Sequence, residues 1–551
     1  MDTFLERFPQ LTKLIFSHLN NESLVKSMEV DITWKKCING QKLPWIRMIE
    51  NKIGTLNQYP ETWKKVTSKT PVTNVQELAF AVNGFYNRDK PGWTSFTPMH
   101  IIAGCGKLDQ CQFVFEKITD INPPAKNGVT PLHVAAIRGH LNVYEFIMGC
   151  VNEKNPLADE GETPLYLAAQ VGHFDVCDLI IKNVADKNPA RKNGETPLFT
   201  AAAAGHYEIC KLIISHSIEK NPPRNDGVTP LQIAAQKGHL KISKLFIDLL
   251  EEKNPSDNEG STPLHSAVAA GHFKICKLLM PHLNDKNPGR NDGVTALHLA
   301  AQQGHLKICI LIINLLGNKN PSDIDGKTPL HIAAVTGHIR IFKYIVDFLD
   351  NKNPSDNNGN TPLHCAAVKG RFYICKYIIS LIGDKNPSNN NGITPLHLAA
   401  RKGYLKICKL FLTYVDNKNP ADNMGNTPLH YASQQGHLNV CQLIINNVDF
   451  KNPSNNNGIT PLHLAAEKGY LKICKLFLTY VDNKNPADNM GNTPLHYASQ
   501  QGRLNVCQLI INNVDFKSPS NDKGETPLSV ATRFKHNEIC QLFKKRKNFG
   551  V

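Results

Sequence analysis

The side chains in this sequence that could do chemistry are histidines and cysteines, and both types recur at fixed intervals. The histidines form pairs seven residues apart, such as His133 with His140 and His298 with His305. A helical zinc site uses histidines at positions i and i+4, because that spacing places both imidazoles on one face. A separation of seven gives no such pair. We therefore predict that these histidines cap helices and form hydrogen bonds between neighbouring loops.

The cysteines also recur at a fixed interval along the chain. If the helices that carry them stack side by side, their axes lie ~8–10 Å apart. A disulfide needs Cα atoms within ~7 Å, and a zinc site needs several thiolates around one ion. We interpret these residues as small core side chains that must stay reduced, with a redox or metal role as the alternative. Eleven of the fifteen cysteines are separated by 33 or 66 residues: Cys111, Cys177, Cys210, Cys276, Cys309, Cys375, Cys408, Cys441, Cys474, Cys507 and Cys540.

Both series reflect an internal repeat of 33 residues. The sequence Thr-Pro-Leu-His, or a close variant, recurs fourteen times at this constant step. A fixed period of this size indicates one supersecondary unit stacked on itself. The threonines that begin it are Thr97, Thr130, Thr163, Thr196, Thr229, Thr262, Thr295, Thr328, Thr361, Thr394, Thr427, Thr460, Thr493 and Thr526.

The pattern of each repeat predicts two helices joined by a turn. Thr is the N-cap of the first helix, Pro takes the first helical position, and His is placed as in a capping box. A glycine nine residues after Thr, such as Gly139, ends this helix. A second helix with apolar periodicity follows, as in HLNVCQLII at 437–445, and ends near an Asn-Pro pair.

The stretch GNTPLHYASQQGHLNVCQLII resembles the ankyrin repeat, and the resemblance extends over residues 92–551. It implies an all-α fold, an ankyrin-repeat solenoid of about 14 antiparallel helix pairs with hairpin-like loops along one edge. The chain departs from the family where the second helix ends. The usual Gly-Ala-Asp is replaced there by Asp-Lys-Asn-Pro or a relative, so the shape of this loop does not follow from the resemblance.

The resemblance also implies that a protein target binds along the concave side of the solenoid. Residues 385–450 and 451–516 are identical, except that Arg401 becomes Glu467 and His437 becomes Arg503. Positions seven and eight after Thr vary among the other repeats as well. Sequence drift on a solvated face is enough to explain the variation at any single position. For the surface as a whole, we interpret the variation as a sign of partner binding. We predict that the target-binding surface includes Arg138, Gln170, Gln302, Gln303, Arg401, Lys402, Glu467 and Lys468.

The first 50 residues do not repeat and include Trp34 and Trp45. They read as three short helices, a small bundle whose bulky aromatic residues bury the area that a tiny core needs. The segments IFSHL, LVKSMEV, VDITW and LPWIRMIE resemble an F-box in order and phase. At the start, Phe8-Pro9 only approximates the family's Leu-Pro-x-Glu, and Asp31 replaces a cysteine. The apolar residues at matching positions are Pro9, Leu14, Ile15, Leu19, Leu24, Val30, Trp34 and Trp45.

An F-box implies that residues 1–50 bind the Skp-type adaptor of a cullin-RING ubiquitin ligase. The alternative is that the bundle only caps the first repeat of the solenoid. Residues 51–91 are predicted to form a helical connector that sets the angle between the bundle and the solenoid at 92–551.

Composition and motifs exclude several classes of function. The sequence contains no nucleotide-binding, zinc-protease, hydrolase or kinase signature, so we expect no catalysis and no cofactor. The net charge is +15, but the lysines are spread thinly along the chain, so we expect no nucleic-acid partner. No signal sequence or membrane span is recognisable. We expect a cytoplasmic monomer. The basic segment KKRK at 544–547 is either a solvated helix end or a nuclear localisation signal.

Overall fold

The computed structural model describes residues 97–116, 118–514 and 519–547. The predicted bundle at 1–50 and the connector at 51–91 lie outside these residues. Within the described ranges the chain is all-helical, as predicted, and contains no β-strand; one antiparallel bridge joins Gly289 and Thr295. None of the helices in these ranges has the length and apolar character needed to traverse a bilayer.

The chain divides into two compact units between Leu283 and Asn284. The helices of the first unit are α1 (Pro98–Cys105), α2 (Leu108–Phe115), α3 (Pro131–Arg138), α4 (Leu141–Gly149), α5 (Pro164–Val171), α6 (Phe174–Asn183), α7 (Pro197–Ala204), α8 (Tyr207–His216), α9 (Pro230–Lys237), α10 (Leu240–Leu249), α11 (Pro263–Ala269) and α12 (Phe273–Leu279). A short 3₁₀ helix, Met280–His282, follows α12.

The second unit continues the same pattern of paired helices. Its helices are α13 (Ala296–Gln303), α14 (Leu306–Ile313), α15 (Pro329–Thr336), α16 (Ile339–Val346), α17 (Pro362–Val368), α18 (Phe372–Leu381), α19 (Pro395–Arg401), α20 (Leu405–Tyr414), α21 (Pro428–Gln435), α22 (Leu438–Ile445), α23 (Pro461–Lys468), α24 (Leu471–Tyr480), α25 (Pro494–Gln500), α26 (Leu504–Asn513), α27 (Pro527–Arg533) and α28 (Asn537–Lys547).

Each repeat contributes one odd-numbered first helix and one even-numbered second helix. Within a unit, each first helix packs against the first helices of adjacent repeats, as α3 does against α1 and α5, and the second helices pack in the same way. The core lies between these two layers. Ala135 and Ala136 of α3 are fully buried on one side of it, and Cys177 and Ile180 of α6 on the other.

The first helix begins and ends as its sequence predicts. In α3, the side chains of Thr130 and His133 form a capping box around the N-terminus. The helix ends at Gly139, whose φ of +72° lies in the left-handed region. A Cβ atom at Gly139 would lie 2.4 Å from Nδ1 of His173 in the next repeat. Glycine is therefore required there both by the backbone conformation and by the close approach of a neighbouring side chain.

The Lys-Asn-Pro segments, which depart from the family pattern, connect the end of one repeat to the start of the next. Nζ of Lys352 donates to the carbonyl oxygen of Val346, 2.9 Å away, at the end of α16. Oδ1 of Asn353, the next residue, accepts a hydrogen bond of 3.1 Å from the backbone N–H of Leu363 in α17. The loop thus satisfies orphan groups at the ends of two successive helices.

Candidate protein-binding surface

The first histidine of each pair is a structural residue, as predicted. Nδ1 of His133 accepts the backbone N–H of Thr130 at 3.0 Å, so the ring proton lies on Nε2. Nε2 donates to the carbonyl oxygen of Glu162 in the next repeat, 3.0 Å away. Burial lowers the pKa of His133 to about 4, so the ring is neutral near pH 7. Both nitrogens are occupied, which leaves none for a metal ion or a proton-transfer reaction.

The second histidine of each pair fixes the preceding repeat. Nε2 of His173 donates to the carbonyl oxygen of Ile137 at 3.1 Å. Where this histidine is replaced by arginine, the contact persists, since Nε of Arg371 donates to the carbonyl oxygen of Val335 at 3.0 Å. The predicted hydrogen bonds between neighbouring loops are therefore confirmed, although the bonded carbonyl group belongs to the last turn of a first helix.

Ten of the eleven cysteines of the series fill the core, and Cys540 in the last repeat is half-buried. Cys309, Cys408 and Cys474 are fully buried, and burial raises the pKa of each thiol to about 12. Every cysteine in the described ranges is a free thiol, and those ranges hold no group of three or more potential metal ligands. A thiol with so high a pKa is a poor nucleophile near pH 7. These observations agree with a core role.

Within each unit, the predicted target-binding residues lie in, or directly after, the last turn of a first helix. Arg138 and Glu467 are half-buried, and the others are exposed: Gln170, Gln302, Gln303, Arg401, Lys402 and Lys468. Their backbone is held by the next repeat, because the carbonyl oxygens of Gln170 and Gln302 accept from His206 at 3.2 Å and His338 at 3.3 Å. Each repeat thus presents variable side chains on a fixed backbone, which lowers the entropy lost when a partner binds.

The two positions that distinguish the copied blocks meet in the structure. Nε2 of His437 donates to the carbonyl oxygen of Arg401 at 3.1 Å. In the second copy, Nε of Arg503 donates to the carbonyl oxygen of Glu467, also at 3.1 Å. The first block thus carries Arg with His at these positions and the second carries Glu with Arg; the Glu467 carboxylate itself contacts Nζ of Lys468 at 3.1 Å. The sequence comparison found both changes, but only the structure shows that they are neighbours.

The sequence analysis missed exposed apolar residues on the loops that precede the first helices. Met424, Met490 and Ile324 are 64%, 53% and 68% exposed at the tips of these loops. The loop that carries Met424 is fixed to the following helix, because the Tyr431 hydroxyl donates to Oδ2 of Asp422 at 2.8 Å. The signal for Met424 and Met490 was the residue before the loop glycine, which is polar or charged in every other repeat that has this glycine; Ile324 lies one residue earlier and had no such signal.

In the first unit, the corresponding loops carry an ion-pair network. Arg191 contacts Glu162 at 2.5 Å and Glu195 at 3.2 Å, and Arg224 contacts Glu195 at 3.1 Å. The guanidinium of Arg191 also lies over the ring of Tyr166, 5.0 Å from its centre. These side chains are only partly exposed. The ion pairs therefore hold charged groups in a fixed arrangement at the surface, where a partner can contact them.

A groove of about 360 Å³ lies beside this network in the first unit. It is lined by apolar side chains of α3 and α5, including Val134, Ile137 and Leu167, and by Val129 and Glu162 of the adjacent loops. A groove with an apolar lining and a charged group at its edge can bind a large side chain that anchors a protein partner. Ile137 occupies position seven after Thr, so the groove adjoins the predicted surface.

The residues predicted to bind an adaptor lie outside the described residues, so the structure leaves their role a prediction. They are Pro9, Leu14, Ile15, Leu19, Leu24, Val30, Trp34 and Trp45.

Comparison with known proteins identifies the repeat. The family model described as Ankyrin repeats (3 copies) matches in overlapping segments that together cover the chain from residue 98 to residue 520 without a gap. The matched segments are 98–191, 146–224, 165–256, 218–290, 243–323, 297–389, 379–454 and 443–520. A search of curated proteins gave no match.

Proposed function

The chain belongs to the ankyrin-repeat family, whose repeats mediate protein–protein interaction, and from this premise we propose that it recruits a protein target to a cullin-RING ubiquitin ligase. In this proposal the repeats hold the target on the side where the first helices end. The N-terminal F-box-like segment holds a Skp-type adaptor, which links the chain to the cullin. The chain itself performs no reaction.

The observation that supports target recruitment is the combination of a fixed backbone and variable side chains. At position seven, Ile137, Gln302 and Arg401 differ in chemistry, yet the carbonyl group of each accepts the same hydrogen bond from the next repeat. Natural binding surfaces use this arrangement, in which a rigid scaffold carries residues that are free to change.

The ligase connection rests on the sequence of residues 1–50 alone. Mechanistically it is a proximity effect, because tethering raises the concentration of the target near the conjugating enzyme without any new chemistry. The competing proposal is a scaffold in which the N-terminal bundle only covers the first repeat. The two proposals share the target-binding surface and differ in the adaptor.

Affinity capture of the full chain from cell extract tests the adaptor. We expect the wild type to capture adaptor and cullin, and a variant with Leu24→Asp, Val30→Asp and Trp34→Asp to lose both. The matched control changes polar residues of the same segment, Lys26→Asp, Lys35→Asp and Lys36→Asp, and should keep both. If the wild type captures no cullin, the ligase role fails and the scaffold proposal stands.

Proximity labelling in the native cell tests the target surface. A variant with Arg401→Ala, Lys402→Ala, Glu467→Ala and Lys468→Ala should lose labelled partners by about tenfold or more, as expected when several central contacts are removed. The control replaces four exposed polar residues at or just after the ends of the second helices of the same repeats, Thr413, Asp416, Thr479 and Asp482, with alanine. Equal loss in both variants would contradict the assignment of the surface.

A further inference from the structure

The second helices of the second unit carry an uncompensated positive charge. Seven of its eight second helices, α14, α16, α18, α20, α22, α24 and α26, contain eight basic residues and no acidic one, whereas the last, α28, carries Glu538. All eight lie twelve or fifteen residues after the Thr of their repeat, and all are exposed. They are Lys307, Arg340, Lys343, Lys376, Lys406, Lys409, Lys472 and Lys475.

The fold places these residues on one face. In α20, Ile407, Cys408 and Phe411 are buried, whereas Lys406 and Lys409 are exposed on the opposite side. Residues three apart on a helix are neighbours at ~5–6 Å, and packed helices lie ~8–10 Å apart. Six of the cations therefore form a compact grid on the second helices of four successive repeats, α14, α16, α18 and α20. The pair Lys472 and Lys475 lies two repeats further on.

Other groups of the chain do not neutralise this grid. None of the eight cations forms an ion pair in the described part of the chain, where the ion pairs lie elsewhere. Lys343 lies over the ring of Tyr377, 4.8 Å from its centre. The acid nearest in sequence, Asp347 at the C-cap of α16, lies one turn beyond Lys343 and interacts electrostatically with Tyr377, but forms no ion pair with these cations within residues 118–514. By contrast, loop lysines such as Lys352 are used in capping helix ends.

One aromatic side chain interrupts the grid. Tyr373 takes the position of the cation in α18, twelve residues after Thr361, and is 76% exposed. Arg340 and Lys406 occupy the same position in the flanking repeats, and Lys376 lies one turn away on the same helix. An exposed aromatic ring flanked by cations can stack on a planar group while the cations contact the charges beside that group.

We propose that the basic surface, which comprises Lys307, Arg340, Lys343, Lys376, Lys406 and Lys409 with Tyr373, binds single-stranded nucleic acid. Cations that contact phosphates and an aromatic ring that stacks on a base are the two features by which proteins bind single strands without sequence preference. An acidic protein segment would use the cations but has no planar base for Tyr373. From the sequence we expected no nucleic-acid partner, because the lysines are spread thinly along the chain. Their common face forms only when the repeats stack. The proposal is independent of target recruitment, which uses the ends of the first helices.

Fluorescence anisotropy of a labelled twenty-nucleotide oligo(dT) with the full chain tests this surface. We expect log K to fall with log salt with a slope of about −3 to −4, from ~0.7 per phosphate for about five contacts. The variant Arg340→Glu, Lys343→Glu, Lys376→Glu should bind more than about tenfold more weakly. The control Lys237→Glu, Lys369→Glu, Lys523→Glu reverses the same number of exposed cations outside the basic surface, and should bind nearly as the wild type does.

Tyr373 separates nucleic acid from an acidic protein. Tyr373→Ala should weaken oligo(dT) binding by about fivefold or more, while Tyr373→Phe keeps the stacking ring and the affinity. An oligoglutamate peptide of equal charge should bind more weakly than oligo(dT) and show no effect of Tyr373→Ala. No oligo(dT) binding, equal weakening by both triple variants, or preference for oligoglutamate would each overturn the proposal.

Discussion

At the scale of single residues, the structure explains why histidine recurs in the first helix. Only a neutral imidazole can accept a backbone N–H on one nitrogen and donate to a carbonyl group on the other while buried. His397 does this between Thr394, at 3.0 Å, and Asn426 of the next repeat, also at 3.0 Å. The repeat at Thr229 has Gln232 instead, whose side chain donates to Asp257 at 2.8 Å. Glutamine therefore keeps one polar contact without titrating, but its Oε1 finds no partner among the described residues and does not replace the acceptor nitrogen of histidine.

These histidines predict that acid destabilises the repeats. Burial lowers the pKa of His397, His430 and His463 to about 4, below the ordinary value near 6.5. Between these pH values the unfolded chain binds more protons, so stability is complete above pH ~6.5 and decreases as the pH falls toward 4. Each histidine contributes a loss of about 1–2 kcal/mol at pH ~5.

Urea unfolding at pH 7, 6 and 5, followed by circular dichroism, measures this loss. The midpoint should fall steeply for the wild type and less for the variant His397→Gln, His430→Gln, His463→Gln. A midpoint that is equally pH-dependent in both proteins would show that other groups are responsible.

The pair formed by residues 467 and 503 gives a second prediction at this scale. Glu467→Arg places like charges side by side when Arg503 is present, and should cost about 0.3–1 kcal/mol because the site is partly exposed. When Arg503→His is also present, Glu467→Arg should cost less free energy of unfolding, because the two changes together give the Arg–His pair of the first block. A double-mutant cycle from urea unfolding measures the coupling, and a value of zero would show that the two changes are independent.

At the scale of the element, the Lys-Asn-Pro loops show how this chain departs from its family without changing the fold. Lysine caps the preceding helix and asparagine caps the following one, so one short segment satisfies backbone groups at two helix ends. The sequence predicted the loop but not its geometry, because each contact spans residues six or ten apart in an irregular segment. The contacts also account for lysines that contribute to the net charge.

Replacing the loop asparagine should destabilise the repeat that follows it. Asn386→Ala removes the acceptor, 3.0 Å away, of the backbone N–H of Leu396 in α19. The expected cost is about 1 kcal/mol, the usual value for losing an N-terminal cap. Asn391→Ala, at an exposed loop tip, should change stability by less than about 0.5 kcal/mol. Thermal unfolding compares the two variants, and equal shifts would contradict the capping role.

At the scale of the whole molecule, the repeats stabilise one another only through their neighbours. Within each unit, helices pack mainly against their partner and the adjacent repeats. The copied block offers a direct test of this rule, because the residues that precede the last repeat are the same as those at the end of the first copy, apart from His437 and Arg503.

Deleting residues 451–516 should therefore leave a folded protein. The deletion joins Phe450 to Lys517, and the sequence across this junction is the natural one. Far-ultraviolet circular dichroism should fall by roughly the deleted share of helix, and the shorter chain should elute as a folded species of lower unfolding midpoint. An aggregated or unfolded product would show that the last repeats depend on more than their neighbours.

The sequence by itself determined the ankyrin-repeat fold, the start of each first helix and most of the core, since these depend on capping residues and apolar spacing within a single repeat. Thr130, Pro131 and Gly139 are enough to place α3. By contrast, most second helices end five to seven residues before the Asn-Pro pair, as at Tyr414 and Ile445. Only the tertiary structure decided what lies side by side across repeats: the contact of Arg503 with Glu467, and the common face of Arg340, Lys376 and Lys406. Stacking brings residues 33 or 36 apart in the chain into one surface, and local patterns do not encode which side chains then meet.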